Sequence, residues 1–205
     1  MKLFLLPLIF LFGVPPIYAD PLRVLFLGDS VTIGYGLKVD EAYPKLVEEI
    51  LKKEGLEIQS INGGVSGDTT AGGLRRLEWM LRTKPDVVVV ALGANDMLRG
   101  LPVEETHKNL GLIMDLLKQK KMPGILFGMR ALPNYGPRYE RDFNKMFDQV
   151  AKESSVPYKK FFISTVAGNS KLNLSDGIHP NREGQKVLAA DLVNFLRPQL
   201  MKIKR

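Results

Sequence analysis

Three short polar segments each follow an apolar run that is typical of a buried strand. The first contains Asp29 and Ser30 after the run 23–28, the second is "NGGVSGDTT" at 62–70, and the third is "GAND" at 93–96. Parallel strands bring such ends to one edge of a sheet, where ligands bind. Glycine lets a backbone N–H approach a ligand closely, and an Asn amide donates hydrogen bonds. With the Ser30 hydroxyl, these groups indicate nucleophilic catalysis beside an oxyanion hole.

Two histidines are available as the general base that such a serine needs. His107 falls between the apolar positions of an amphipathic helix, so we expect it at the surface. His179 lies in the loop "LSDGIHPN", three residues after Asp176. There the Asp176 carboxylate could orient the imidazole while its other nitrogen faces Ser30, as in a Ser-His-Asp triad. Taken singly, each polar segment also fits an ordinary turn or helix cap.

The elements that must position these residues alternate along the chain. Helical spacings of apolar residues lie at 43–51, 74–81, 103–117, 143–150 and 188–196. Between or before them are strand-like runs at 23–28, 56–63, 86–93, 124–130 and 156–162. The alternation predicts an α/β fold whose parallel sheet is covered on both faces through right-handed crossovers.

Composition limits the possible partners and cofactors. A chain of 205 residues with 45% hydrophobic content predicts one domain, and the absence of cysteine excludes disulfides, thiol nucleophiles and thiolate metal sites. The net charge of +7 is spread along the sequence, with no basic run interleaved with aromatic residues. We therefore expect no nucleic-acid partner and at most weak contact with an anionic membrane surface. A monomer is also expected.

The first 19 residues have the pattern of a secretory signal peptide. Lys2 precedes the apolar stretch 3–14, and the small residue Ala19 ends the segment. The expected domain is thus 20–205, in the periplasm or secreted. Because Ile17 fits the small-residue rule for cleavage poorly, an uncleaved N-terminal anchor is the alternative.

Four short motifs carry a resemblance to a known family. "GDSV", "SGD", "GAND" and "DGIH", in this order, resemble the signature blocks of the SGNH (GDSL-type) hydrolases. The segments "RALPNYGPRY" and "DGIHPNREGQ" are similar to the bacterial periplasmic thioesterase I, lysophospholipase and arylesterase subgroup. Val31 and Ala94 replace the Leu and Gly that are usual in the family. The resemblance implies a flavodoxin-like, three-layer α/β/α fold with a five-stranded parallel sheet.

The same resemblance implies roles for particular residues. Ser30 corresponds to the nucleophile, His179 to the base and then acid, and Asp176 to the orienting carboxylate. The N–H groups of Ser30 and Gly67 and the amide of Asn95 correspond to the oxyanion hole. Hydrolysis is expected to pass through an acyl-serine, with no metal and no organic cofactor. The near miss "GVSGD" lacks the second glycine of the Gly-x-Ser-x-Gly elbow, which argues against the α/β-hydrolase fold.

Two further segments resemble the subgroup's substrate pocket. They contribute the candidate substrate-binding residues Met97, Leu98 and Leu101, and then Met129, Arg130 and Leu132. The expected substrates are small-molecule acyl esters or thioesters with medium to long acyl chains.

Two other functions stay open at this point. One is an exported carbohydrate O-deacetylase, and the other is a non-catalytic lipid- or glycan-binding module. A nucleotide-binding protein is not indicated, because the chain has neither a phosphate-loop motif nor a dinucleotide Gly-x-Gly-x-x-Gly.

Overall fold

The computed structural model describes residues 20–203, so the predicted signal peptide at 1–19 lies outside the described residues. Five strands are present: β1 (Leu22–Gly28), β2 (Ile58–Gly64), β3 (Val87–Ala91), β4 (Gly124–Phe127) and β5 (Tyr158–Lys159). The α-helices are α1 (Ser30–Ile33), α2 (Tyr43–Lys53), α3 (Thr70–Leu81), α4 (Ala94–Leu98), α5 (Val103–Gln119), α6 (Pro137–Ser154) and α7 (Arg182–Ile203). Short 3₁₀ turns occupy Val39–Glu41 and Pro133–Tyr135.

The sheet is entirely parallel, with the strand order β2-β1-β3-β4-β5. The chain moves outward from β1 to β2 and then crosses back to β3 on the other side of β1. The strand order therefore reverses between β1 and β3, which is where open α/β sheets bind ligands. The predicted five-stranded parallel sheet is confirmed.

Helices cover both faces of this sheet because its central strands are apolar on both sides. Every residue of β3 is buried, as the continuous valine run predicts. Helix α2 packs against α7, while α3 and α6 pack against α5. Within residues 20–203, no helix is both long enough and apolar enough to cross a membrane.

The fifth strand is much shorter than the run 156–162 suggests. Only Tyr158 and Lys159 pair with β4, and the chain then turns so that Phe162 is buried. This strand lies at the sheet edge, where short, lysine-bearing strands limit pairing with other chains.

Candidate active site

Ser30 begins the single turn of α1, immediately beyond the carboxyl end of β1. Asp29 caps this turn, since its Oδ1 accepts a hydrogen bond from the N–H of Val31 at 3.1 Å. Gly28 is needed just before it because a Cβ there would lie 2.0 Å from Thr32 Oγ1. As the first helical residue, Ser30 has no intrahelical acceptor for its backbone N–H. Both its hydroxyl and its N–H are thus available at the end of the sheet.

Ser30, His179 and Asp176 form a continuous chain of short contacts. His179 Nε2 lies 2.9 Å from Ser30 Oγ, and His179 Nδ1 lies 2.7 Å from Asp176 Oδ2. The other Asp176 oxygen accepts hydrogen bonds from the N–H groups of Ile178 and His179. The structure therefore brings together the three residues of the predicted triad, and their catalytic roles stay a prediction.

The carboxyl group of Asp176 is held in its ionised form. The backbone N–H of His179, the His179 side chain and the backbone N–H of Ile178 all donate to it, which lowers its pKa from 3.8 to about 2. A carboxylate can only accept hydrogen bonds, so it fixes the proton of the imidazole on Nδ1. Nε2 is then left to accept a proton from Ser30.

The ring of Tyr35 lies next to the imidazole of His179. Its ring centroid lies 4.5 Å from that of His179, with the two planes tilted by 37°. The side chain is 50% exposed, so it forms part of the mouth of the site. Sequence reasoning missed this residue, because nothing in the motif "GDSV" indicates how the chain turns after Gly34.

The second and third polar segments approach Ser30 from neighbouring strand ends. Gly67 has a φ of +76°, a conformation that favours glycine, and its carbonyl accepts a 2.6 Å hydrogen bond from Arg99 Nη2. Asn95 lies in the first turn of α4 and donates from Nδ2 to Asp29 Oδ2 at 3.3 Å. Ser30, Gly67 and Asn95 all line one cavity. The three residues predicted to form the oxyanion hole therefore border the same cavity, and their role as donors stays a prediction.

Asp29 has a second contact that sequence reasoning did not find. A turn or helix cap is the ordinary structural role of its segment, but the two oxygens of Asp29 separately accept hydrogen bonds from Val31 and Asn95. The side chain is 3% exposed, and this burial raises its pKa from 3.8 to about 6, against the lowering effects of the Val31 hydrogen bond and of His179. The position of Asp29 next to Ser30 indicates that Asp29 belongs to the site. Nothing in the sequence indicates that its partner is Asn95.

Arg76 joins the first two segments. Its Nε donates to Asp68 Oδ2 at 2.7 Å, and its Nη2 donates to the carbonyl of Gly28 at 2.9 Å. Both the Arg76 and Asp68 side chains are largely buried, at 19% and 11% exposure. The Arg76 guanidinium therefore fixes the separation between Gly28, at the end of β1, and Asp68, which follows Gly67.

The third segment is held by a separate buried carboxylate. Asp96 is 1% exposed, and its oxygens accept from the N–H and hydroxyl of Thr70 at 2.9 and 2.5 Å. Thr69, the residue before Thr70, caps α3 because its side chain accepts a hydrogen bond from the N–H of Gly72, as expected for a threonine at this position. The start of α3 and the first turn of α4, which carries Asn95, are thereby fixed to one another.

The cavity at this site has a volume of about 410 Å³ and mainly apolar walls. Of the predicted substrate-binding residues, five line it: Met97, Leu98, Met129, Arg130 and Leu132. Phe161, Ile163 and Ile178 also line it and were not anticipated. The cavity is large enough for a small-molecule ligand.

Leu101 does not line this cavity, which corrects the sequence-based expectation. Helix α4 ends at Leu98, and the left-handed Gly100 turns the chain so that Leu101 lies in a neighbouring groove beside Tyr139. The Tyr139 hydroxyl donates to the Leu101 carbonyl at 3.0 Å. His107 also lies elsewhere, on α5, with Nε2 3.2 Å from Glu153 Oε2.

Comparisons with known proteins identify the family to which this sequence and fold are similar. Residues 26–187 match the model of the GDSL-like Lipase/Acylhydrolase family. The chain is 35% identical to an arylesterase of Vibrio mimicus, covering 88% of each sequence. It is 35% identical to the thioesterase 1/protease 1/lysophospholipase L1 of Escherichia coli K12, covering 85% of this chain and 83% of the relative. The crystal structure of the psychrotrophic esterase EstA from Pseudoalteromonas sp. superimposes with a TM-score of 0.83 at 34% identity, covering 87% of this chain and 98% of EstA.

Proposed function

Since the chain belongs to the GDSL-like lipase/acylhydrolase family and is an acyl-ester hydrolase, we propose that Ser30, His179 and Asp176 are its catalytic triad. The observation that carries this proposal is the continuous hydrogen-bonded chain from Asp176 through His179 to Ser30 Oγ. The first contact gives the serine hydroxyl a general base, and the second orients that base.

The reaction proceeds in two steps. Ser30 Oγ attacks the acyl carbonyl carbon while His179 Nε2 takes the hydroxyl proton, and the imidazolium then gives that proton to the departing alcohol or thiol. Water next attacks the acyl-serine with His179 again as base, which releases the acid and restores Ser30. Asp176 stays ionised throughout and stabilises the imidazolium.

The oxyanion of each tetrahedral intermediate is held by three donors. These are the backbone N–H groups of Ser30 and Gly67 and the side-chain amide of Asn95. Such preorganised donors stabilise negative charge that exists only near the transition state, so they raise kcat rather than improve substrate binding.

The acyl group is of medium to long chain length, in an ester or a thioester. The support is the apolar wall of the cavity beside Ser30, formed by Met97, Leu98, Met129, Leu132 and Phe161. A chain that covers this surface gains about 0.8 kcal/mol for each CH₂ removed from water. An acetyl group would leave most of it unfilled, which disfavours a deacetylase.

The first test is the hydrolysis of p-nitrophenyl esters from two to sixteen carbons by the protein and by Ser30→Ala. Activity that peaks at medium or long chains and is lost in the variant is the expected result. Activity confined to the acetate would instead indicate a deacetylase. Equal rates in both proteins would exclude Ser30 as the nucleophile, and a serine-directed phosphonate provides an independent check by adding mass only to the protein with Ser30.

The enzyme is proposed to act as a monomer after export to the periplasm or the medium. The support for export is the signal-peptide pattern of residues 1–19. Cell fractionation followed by N-terminal sequencing tests it, since a mature chain that begins at Asp20 is expected. Size-exclusion chromatography with light scattering tests the monomer.

A further inference from the structure

The turn that carries Ser30 is too short to satisfy its own backbone. Helix α1 has four residues, Ser30–Ile33, and the last four carbonyl groups of any helix lack an intrahelical partner. The Ser30 carbonyl accepts a hydrogen bond from the N–H of Gly34. Val31 is 4% exposed and Thr32 is fully buried, so their carbonyls need partners from the rest of the protein.

Two side-chain amides supply these partners. Gln185 Nε2 donates to the carbonyl of Val31 at 3.2 Å, and Asn62 Nδ2 donates to the carbonyl of Thr32 at 2.9 Å. Gln185 lies in the first turn of α7 and is 1% exposed, whereas Asn62 belongs to β2. The Ser30 turn is therefore hydrogen-bonded to two separate elements of the fold.

The other end of each amide is fixed by a backbone N–H. Gln185 Oε1 accepts from the N–H of Tyr43 at 2.9 Å, and Asn62 Oδ1 accepts from the N–H of Gly64 at 3.0 Å. Because a backbone N–H can only donate, the amide oxygen has to face it, and the NH₂ group then faces the carbonyl. Rotation of either amide by half a turn would break both of its hydrogen bonds.

Gln185 also belongs to the part of the chain that carries His179. Between these two residues, Asn181 Oδ1 accepts from the N–H of Gly184 at 2.9 Å, and the Asn181 carbonyl accepts from the N–H of Gln185 at 2.8 Å. Asn181 Nδ2 also donates to the carbonyl of Asn173 at 3.2 Å. The His179 loop and the start of α7 thus form one hydrogen-bonded unit, and the Gln185 side chain joins that unit to the Ser30 turn.

We propose that Gln185 and Asn62 are positioning residues for the nucleophile, which hold the Ser30 turn where Oγ meets His179 Nε2. This inference rests on the hydrolase function proposed above. Neither residue lines the cavity, so neither contacts the substrate there. Proton transfer from Ser30 requires the present separation of 2.9 Å to be kept, and a small shift of the turn slows attack without weakening substrate binding.

Three variants remove these hydrogen bonds. Gln185→Met keeps a long unbranched side chain but removes both ends of the amide. Gln185→Asn keeps an amide that is shorter by one methylene, so it cannot reach Val31 and Tyr43 together. Asn62→Asp keeps the shape and the acceptor for Gly64, but a carboxylate cannot donate to Thr32.

Three controls match these changes. Gln149→Met and Asn134→Asp make the same replacements at exposed positions of α6 and of the Pro133–Tyr135 turn. Leu192→Ala removes a fully buried side chain of α7, about 10 Å further along the helix than Gln185, and lowers stability through the core instead. Urea unfolding of every variant allows rates to be compared per folded molecule.

The measurements are kcat and KM for p-nitrophenyl butyrate and the rate constant for reaction with a serine-directed phosphonate. Each of the three variants should lower kcat and the phosphonate rate constant by about 10- to 100-fold, the effect of a misplaced reacting group. KM should change by less than about twofold. The controls should change none of these quantities per folded molecule.

A rise in KM at unchanged kcat would overturn the proposal, as would a loss of kcat no greater than that of Leu192→Ala. If the changes at one of the two positions leave kcat unaltered, the proposal is wrong for that residue. Gln185→Asn decides the outcome for Gln185 should Gln185→Met not fold. An unaltered protein that neither hydrolyses the ester nor reacts with the phosphonate would instead contradict the hydrolase function itself.

Discussion

Asn95 donates its side-chain N–H to Asp29 across the gap between the ends of β3 and β1, with Nδ2 3.3 Å from Oδ2. Because a carboxylate can only accept, this contact fixes which end of the Asn95 amide carries the donors. One amide hydrogen is used by Asp29, and the second is left for the cavity. The burial of Asp29, which raises its pKa to about 6, is the cost of this arrangement.

Asp29→Asn should lower activity and change how stability depends on pH. An amide at position 29 places donors opposite the donors of Asn95, so we expect kcat to fall by about tenfold or more with little change in KM.

The ionised Asp29 is disfavoured in the fold, since its pKa of about 6 exceeds the ordinary 3.8. Its contribution to the free energy of unfolding is therefore fully present below pH 3.8 and is lost as the pH rises through about 6.

Urea unfolding at pH 4, 5, 6 and 7 checks the second part. The free energy of unfolding of the unaltered protein should lose about 2–3 kcal/mol from this group over that range, as expected for a shift of about two pKa units. The variant should lack this component. Parallel curves for the two proteins would contradict the assignment.

Asn95→Ala should reduce kcat by about 10²–10³-fold, the usual effect of removing one oxyanion donor. KM should change little, because the bond to the oxyanion forms only near the transition state. Steady-state kinetics on one p-nitrophenyl ester measures the split between kcat and KM. Asn134→Ala, at an exposed position of the Pro133–Tyr135 turn, is the matched control. A rise in KM with unchanged kcat would assign Asn95 to substrate binding instead.

Arg76→Gln should weaken both stability and catalysis. The change leaves the Asp68 carboxylate largely buried without its cation and removes the bond to the Gly28 carbonyl, so the loss should be about 2 kcal/mol. Because the Gly67 loop is then less well held, kcat should fall as well. Arg75→Gln, on the exposed side of the same helix, should change neither quantity. A double-mutant cycle with Asp68→Asn measures the coupling between the two side chains.

Leu132→Asp should shift the acyl-chain preference toward short chains. A charged group at this position of the cavity wall opposes the burial of methylene groups, so kcat/KM on a long-chain ester should fall by about tenfold while the acetate is nearly unaffected. Leu101→Asp is the control, since Leu101 lies in the neighbouring groove. The chain-length profiles of both variants, measured side by side, decide whether the cavity holds the acyl group. Identical shifts would argue against it.

The fold and the approach of the catalytic segments were predictable for one reason. Buried parallel strands are continuous apolar runs, and their carboxyl ends must meet at one edge, so the residues after Gly28, Gly64 and Ala91 were bound to be close. Contacts that depend on side-chain direction were not predictable. Asp29 and Asn95 are 66 residues apart, and Arg76 and Gly28 are 48 apart, so no local pattern links them.

The errors also have local physical causes. The apolar content of 156–162 suggested a full strand, but Phe162 turns into the core after only two paired residues. Leu101 was expected in the cavity because it is apolar and close in sequence to Asn95. The left-handed conformation of Gly100 redirects the chain immediately before Leu101. A glycine in the sequence does not by itself indicate the direction of a turn.

The two contacts of the proposed triad differ in sequence separation. This difference predicts the order in which they form during folding. Asp176 and His179 are three residues apart and can meet as soon as their loop forms, whereas Ser30 and His179 are 149 residues apart, with β2, β3, β4 and β5 between them. We expect the intervening sheet to assemble before the Ser30–His179 contact forms, because the contacts within the sheet offset the entropy of closing so long a loop. During refolding, reaction with a serine-directed phosphonate should therefore begin only after the far-ultraviolet circular dichroism signal has recovered. A partly folded chain would therefore be chemically silent toward the esters that the folded enzyme hydrolyses.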